Sequence, residues 1–243
     1  MFNEQFFIQL KQRGILSLLF SALLILPAHA LSDEEIKRGF NLTVFGSEIA
    51  PLGFQARYIH KFKGEVKFRI HNLSSKNRTR SIKQFIGTLE KQISGLKVRI
   101  VRKGEAANFN IYVVNRANYI QTVREKVEKS RTANVPGKCL VKSKFSRAGM
   151  IKSDAVIVSD EGEALFRRCL IEEILQGLGP LNESTSLSKS VFNDTSKHTT
   201  FTDFDRLILN MLYDPRIKNG ARLRSVSKVL DAVLADTRKR LGL

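Results

Sequence analysis

The spacing of apolar positions changes several times along the chain, and each spacing predicts a kind of element. In the stretch EVKFRIH, Val66, Phe68 and Ile70 alternate with charged or polar residues, which is typical of a half-buried strand. Between Asn77 and Gly95 the apolar residues recur about every 3.6 positions, as they do on one face of a helix. Gly95 stands where such a helix commonly ends. This part of the chain is therefore predicted to form a strand followed by an amphipathic helix.

The same reasoning predicts the remaining elements. Further helices are expected after Ser32 and over Asn118–Lys129, Gly162–Leu178, Asp203–Leu212 and Ala221–Arg240. Further strands are expected at LKVRIV, NFNIYVV and DAVIVSD, and a lysine-rich edge strand is expected near Cys139 in an otherwise irregular stretch. Strands and helices in this order favour an α+β fold, in which helices pack on a mixed sheet.

The first thirty residues have the pattern of an export signal. Lys11 and Arg13 precede the apolar run 14–26, and the sequence AHA that ends at Ala30 fits a cleavage site. The alternative is an uncleaved membrane anchor, but about thirteen apolar residues fall short of the ~20 that span a bilayer. We therefore expect residues 1–30 to be a cleaved signal peptide and the mature protein to be periplasmic or secreted.

About 213 residues remain after cleavage, enough for one sizeable domain or two small ones. We predict an N-terminal helix and linker over residues 31–60, a main domain over 61–217 and a C-terminal helix over 218–243.

The charge of the chain is uneven. The whole sequence carries a formal net charge of +18. Residues 54–148 hold 23 Lys and Arg against 5 Asp and Glu, whereas residues 149–243 hold 14 against 13. Such a basic half is attracted to anionic partners. Acidic lipid, peptidoglycan or acidic polysaccharide of the envelope is expected; the alternative is that the lysines only keep the domain soluble. Export and the lack of recognition motifs argue against nucleic acid.

The chain has two cysteines, Cys139 and Cys169. In an exported protein a disulfide is the default expectation, with two free thiols as the alternative. The loop that it closes would make its loss cost of order 3 to 4 kcal/mol. A zinc site built on these cysteines is disfavoured, because no CxxC motif or neighbouring Cys/His partner is present.

The stretch EEILQGLGPLN has the spacing of a zinc-peptidase motif. In that motif two histidines four residues apart bind zinc, a glutamate between them is the general base, and a third ligand follows a glycine turn. Here Glu172 and Gln176 occupy the positions of the paired histidines, and Glu173 occupies that of the base. Gly179 occupies the turn and Asn182 the third ligand position.

Three stretches carry a resemblance to known families: CLIEEILQGLGPLN, SVFND and FDRLILNMLYDPRI. Over Cys169–Ile217, and loosely back to Lys61, the chain resembles a bacterial envelope family catalogued as domain of unknown function 2927 (DUF2927). In layout it resembles the matrixin-like metzincin peptidases, with Phe192 in the methionine position of their Met-turn. The resemblance implies a zincin-like (metzincin-type) mixed β-sheet with packed helices. Asn193 and Asp194 are then candidate groove residues.

The ligand positions of the motif lack histidine. Gln176 and Asn182 are neutral amides, which bind zinc weakly and would rather suit a hard cation, weakly held. Without zinc, a water in the site stays a poor nucleophile and Glu173 has nothing to activate. We therefore expect no cofactor, with a divalent metal as the alternative, and no catalytic residue; Glu173 is a vestigial candidate. Glu172, Gln176 and Asn182 are vestigial metal positions that could equally serve the structure alone.

Two functions follow from these expectations. The first is a metal-free, zincin-like binding domain for an anionic envelope component, an extended peptide or glycan, or a periplasmic protein; losing the metal need not abolish docking of a strand at a sheet edge. The alternative is a metallopeptidase-like hydrolase of peptide or peptidoglycan with Glu173 as general base. A serine hydrolase or a nucleotide-binding protein is disfavoured, because the G-x-S-x-G and Gly-rich phosphate-loop motifs are missing.

Overall fold

The structure, a computed structural model, describes residues 31–45, 58–193 and 195–243. The predicted signal peptide and Asp194 lie outside the described residues. Leu31–Leu243 forms one compact unit. No helix among the described residues is both long and apolar enough to cross a lipid bilayer.

A five-stranded mixed sheet forms the centre of the fold. Its strands are β1 (Val66–Asn72), β2 (Val98–Ile100), β3 (Phe109–Val114), β4 (Cys139–Ser146) and β5 (Gly149–Val158). The order across the sheet is β2-β1-β3-β5-β4. All neighbours are parallel except β4, which is antiparallel to β5. The predicted α+β class and the predicted edge strand at Cys139 are confirmed.

Six helices surround this sheet in the described residues. They are α1 (Asp33–Phe40), α2 (Thr79–Gln92), α3 (Arg116–Thr122), α4 (Glu163–Gln176), α5 (Asp203–Tyr213) and α6 (Leu223–Leu241). π-Helical turns continue α1 through Asn41–Phe45 and α3 through Val123–Glu128. The side chain of Ser32 accepts a hydrogen bond from the Glu35 amide and caps α1, as the sequence predicted.

The two faces of the sheet are covered differently. One face packs on α2, α4 and α5 in the main core, to which alternate strand residues such as Phe68 and Ile111 contribute. On the other face, α3 and its continuation bury a smaller apolar cluster that includes Tyr119, Val123 and Val156. Because α3 covers only one end of this second face, the charged residues of β1, β4 and β5 remain beside it.

The prediction for the stretch before α4 was wrong in extent. A strand was expected from Asp154, whereas β5 begins at Gly149 and forms a hairpin with β4, with Ser146 opposite Gly149. The pairing register shifts between Lys144 and Phe145. This irregularity breaks the apolar alternation that a strand prediction depends on, so the basic stretch was expected to be mostly irregular.

A candidate binding groove between β4 and α4

Helix α4 is buried along most of its length, although it carries polar residues. Glu172, Glu173 and Gln176 are only 3%, 4% and 5% exposed. Buried polar groups are costly unless they are paired. The contacts of these three side chains therefore decide what the helix can do.

An open cavity of about 850 Å³ lies beside this part of α4. One wall is formed by the start of β4 and the residues before it, and the other by one side of α4 and the segment 181–184. We call this cavity the groove. The groove is lined by the residues at the ligand and base positions of the zinc-peptidase-like motif. These are Glu172, Glu173, Gln176 and Asn182. The structure thus brings the ligand and base positions of the motif together in one groove.

Glu172 forms an ion pair with Arg168 one helical turn earlier. The Arg168 Nε lies 3.2 Å from Glu172 Oε2, and an Arg168 Nη donates to Glu172 Oε1 over 3.4 Å. The guanidinium of Arg168 thus contacts both carboxylate oxygens of Glu172. Arg168 was not predicted as a site residue, although its i,i+4 spacing from Glu172 was a usable signal.

The two amide side chains of the motif, Gln176 and Asn182, donate hydrogen bonds to other residues of the protein. Gln176 donates from Nε2 to the carboxylate of Glu183. Asn182 donates from both its backbone N and its Nδ2 to the carbonyl of Thr43, each over 3.1 Å. Asn182 therefore fastens the segment after α4 to the turn that follows α1.

A disulfide joins the two walls of the groove. Cys139, the first residue of β4, is bonded to Cys169 in the middle of α4, with their Cα atoms 5.8 Å apart. The predicted pairing is confirmed. The Cys139 sulfur and carboxylate oxygens of Glu172 and Glu173 lie within 4.8 Å of one another.

The zinc of a peptidase does not fit this set of donors. A cysteine binds metals as a thiolate, and the Cys139 sulfur is held in the disulfide. Glu172 is paired with the positive charge of Arg168, which repels a cation. The amide nitrogens of Gln176 and Asn182 already donate hydrogen bonds, and amide oxygens are weak zinc ligands.

The turn after α4 depends on a glycine in a positive-φ conformation. Gly179 has a φ of +147°, and a Cβ at this position would lie 2.7 Å from Leu212 Cδ2 and 2.8 Å from the His60 carbonyl oxygen. The Tyr213 hydroxyl also donates to the Leu178 carbonyl over 2.9 Å. Backbone conformation and packing thus both favour glycine at position 179.

Tyr119 anchors the residues that lead into β4. Its hydroxyl donates to the Pro136 carbonyl over 2.9 Å, and Pro136 lines the groove. Burial, and after it the nearby charge of Glu173, raises the pKa of Tyr119. The phenol therefore stays protonated and keeps donating at any ordinary pH.

Asn193 and Phe192 do not line the groove. Asn193 is buried, donates to the carbonyls of Thr185 and Leu187, and is not among the groove-lining residues. Asp194 lies outside the described residues. Phe192, in the methionine position, is fully buried in the main core.

Asp205 holds the loop of Phe192 against α5. Its carboxylate accepts hydrogen bonds from the Ser190 hydroxyl at 2.5 Å, the Thr202 hydroxyl at 2.6 Å and the Val191 amide at 3.0 Å. Burial raises the pKa of Asp205 to about 6, against the opposing effect of these donors. Its role is to position the loop.

These features define a class: an α+β domain in which a groove lies between an edge strand and a buried acidic helix. Residues 33–232 match the family described as "Protein of unknown function (DUF2927)". The chain belongs to this family, which confirms the family predicted from the sequence motifs. No curated protein matches the chain.

Proposed function

We propose that the groove binds an extended peptide as an added strand beside β4, without metal and without hydrolysis. The observation that carries this proposal is the position of β4 at the edge of the sheet, where among the described residues it pairs only with β5. The start of this strand, Cys139–Val141, also lines the groove. An exposed strand edge offers backbone donors and acceptors to a peptide, and the neighbouring pocket receives its side chains.

The same proposal treats the fold as zincin-like, with its metal site lost. The motif spacing and the turn at Gly179 support this relation. The ion pair of Glu172 with Arg168 and the hydrogen bond of Gln176 to Glu183 support the loss of the metal. Glu173 then lines the groove wall instead of acting as a base.

We place the domain in the periplasm or outside the cell. Residues 1–30 would act as the signal peptide, and the compact unit begins at Leu31, the first residue after the expected cleavage site. The Cys139–Cys169 disulfide suits an oxidising compartment. The groove would then meet peptides of the cell envelope or of exported proteins.

The charges of the groove favour a polar peptide. Lys138, Arg168, Glu173 and Glu183 all line it together with apolar residues such as Leu140. Backbone hydrogen bonds to the strand edge would supply the affinity. The charged side chains would supply selectivity for peptides that carry complementary groups.

An array of immobilised decapeptides, probed with oxidised protein spanning residues 31–243, tests the proposal. Leu165→Trp narrows the groove, whereas Ala164→Trp places the same side chain at an exposed neighbouring position that does not line it. We expect binding to fall by at least about tenfold only in Leu165→Trp. Peptides with alternate N-methyl groups should also fail to bind, because they cannot donate to a strand edge.

A cleavage assay separates this proposal from the hydrolase alternative. The same peptides are incubated with the protein in the presence of added zinc and analysed by mass spectrometry. Intact peptides are expected. Cleavage that disappears in Glu173→Gln would overturn the non-catalytic function and establish the hydrolase.

A further inference from the structure

Several basic residues lie on the sheet face opposite α4. In β1, Lys67 and Arg69 alternate with residues of the main core, and Lys67 pairs with Arg99 of β2 in the sheet register. In the β4–β5 hairpin, Lys144 lies opposite Lys152. All of these side chains belong to the face that α3 covers only at one end.

Two neighbouring segments extend this charged face. Arg69 donates to the backbone carbonyl of Glu105, which places the β2–β3 connection, residues 101–108, on the same side. Helix α3 and the residues after it, 116–131, cover one end of the face through the cluster around Tyr119. We call this surface the basic side. It consists of the two segments 101–108 and 116–131 and of the strand positions that face away from the main core, namely 67, 69, 99, 142, 144, 152 and 154.

The basic side carries a large excess of positive charge. It contains thirteen Lys and Arg against four Asp and Glu. Four of these cations have acidic neighbours in the described part of the chain. Lys142 pairs with Glu128 and Lys152 with Asp154. Arg99 pairs with Glu65 and Glu105, and Arg116 pairs with Glu161. Among the described residues, Lys67, Lys126 and Lys144 have no carboxylate at ion-pair distance.

The centre of the face carries a pair of stacked rings. His71 lies on Tyr112 with the ring centroids 4.6 Å apart and the planes at 11°, and both side chains are half-buried. The two rings cover each other's facing surfaces, and the parts of the rings that reach solvent offer an apolar contact to a sugar ring. Of the large apolar side chains exposed on the described surface, only Ile120 belongs to the basic side, so the side offers little that could enter a lipid bilayer.

We propose that the basic side binds an acidic polysaccharide, a linear sugar polymer charged by carboxylate groups. The excess of cations matches a polyanion, and the stacked rings of His71 and Tyr112 add a contact for sugar rings. The Cys139–Cys169 disulfide is typical of compartments outside the cytoplasm, where nucleic acid is not the usual polyanion. This site is separate from the groove and goes beyond the peptide-binding function.

Two triple variants that remove the same charge test the assignment. Lys67→Gln/Lys126→Gln/Lys144→Gln removes three cations of the basic side. Lys83→Gln/Lys91→Gln/Lys97→Gln removes three exposed lysines outside it. With polygalacturonate as the probe and neutral dextran as the blank, we expect the Kd to rise roughly tenfold for the first variant and less than about threefold for the second.

Lysine acetylation footprinting of the unaltered protein gives an independent measurement that does not depend on a variant. Bound polygalacturonate is expected to protect Lys126 and Lys144, and to leave Lys83 and Lys91 reactive. Binding should weaken steeply as salt rises, because many charges act together.

Several results would overturn the proposal. Equal losses in the two triple variants would show that only the net charge matters. Tighter binding to phosphatidylglycerol vesicles or to single-stranded DNA than to polygalacturonate would assign the surface to another polyanion. Leu165→Trp is expected to keep its polygalacturonate affinity, so a failure of the groove proposal and a failure of this one give different results.

Discussion

At the scale of single residues, the buried carboxyl group of Asp205 links stability to pH. Its side chain is fully buried, and burial raises its pKa from 3.8 to about 6. A folded-state pKa above the unfolded value means that the folded protein holds its proton more tightly between these two pH values. The contribution of Asp205 to stability is therefore greatest in acid and declines as pH rises towards 6.

Comparison with the variant Asp205→Asn tests the direction of this pH dependence of stability. The amide has the same shape but does not titrate, so other groups cancel in the difference between the two proteins. We expect the unfolding free energy of the unaltered protein, relative to the variant, to fall by up to roughly 3 kcal/mol between pH 4 and pH 7. Urea unfolding at the two pH values measures it. A difference that is the same at both would contradict the raised pKa.

Substitution of Gly179 tests whether the turn after α4 requires a residue without a Cβ atom. In Gly179→Ala the new Cβ would meet the His60 carbonyl oxygen and Leu212, at a backbone angle that side chains rarely adopt. We expect a loss of more than about 2 kcal/mol. Gly87→Ala is the control: this glycine is in α2 with open space around it, so alanine should stabilise by about 0.5 to 1 kcal/mol. Thermal unfolding of both variants provides the comparison.

At the scale of elements, the sequence was a good guide to the helices and a poorer one to the edge of the sheet. Helix α4 was expected over Gly162–Leu178 and spans Glu163–Gln176, because its boundaries are marked by a loop and by glycines. Strands β4 and β5 were underestimated, since pairing across the hairpin, more than local pattern, makes the basic stretch after Cys139 a strand.

The candidate site was predictable only where spacing alone determines it. The helical period puts Glu172, Glu173 and Gln176 near one another, and the disulfide followed from the expected compartment. The sequence did not predict that Gln176 bonds to Glu183 or that Asn182 bonds to Thr43. These contacts arise from the packing of the folded chain. The candidate groove residue Asn193 instead organises its own loop, which the motif spacing could not reveal.

The disulfide should matter most for the element that it fastens. Cys139→Ala/Cys169→Ala removes the disulfide that cross-links the start of β4 to the middle of α4, and we expect a loss of about 3 to 4 kcal/mol. Native-state hydrogen exchange should show the loss of protection concentrated at the start of β4, with the central strand β3 affected less. Uniform loss across the sheet would contradict a local role.

At the scale of the whole molecule, excess positive charge opposes folding. Residues 31–243 contain 39 Lys and Arg and 22 Asp and Glu. The ion pairs of the described residues include fifteen of which most have an exposed partner, and exposed pairs each contribute little. Repulsion among the many cations should therefore outweigh these attractions.

Salt should accordingly stabilise the protein. Raising sodium chloride from about 10 to 300 mM shortens the screening length several-fold, and we expect the Tm of the protein spanning residues 31–243 to increase. The variant Lys83→Gln/Lys91→Gln/Lys97→Gln, which carries three fewer positive charges, should show a smaller increase. A Tm that falls with salt would mean that the ion pairs dominate.

Strand β4 belongs to both proposed surfaces: its first residues line the groove, and Lys142 and Lys144 lie on the basic side. The two surfaces are thus held at a fixed short distance by one rigid strand. A ligand that carries a peptide branch on an acidic sugar chain would bind bivalently, because engagement of one part raises the effective concentration of the other. Two individually weak contacts would then act with high avidity, and a ligand cut between its branch and its chain would be released.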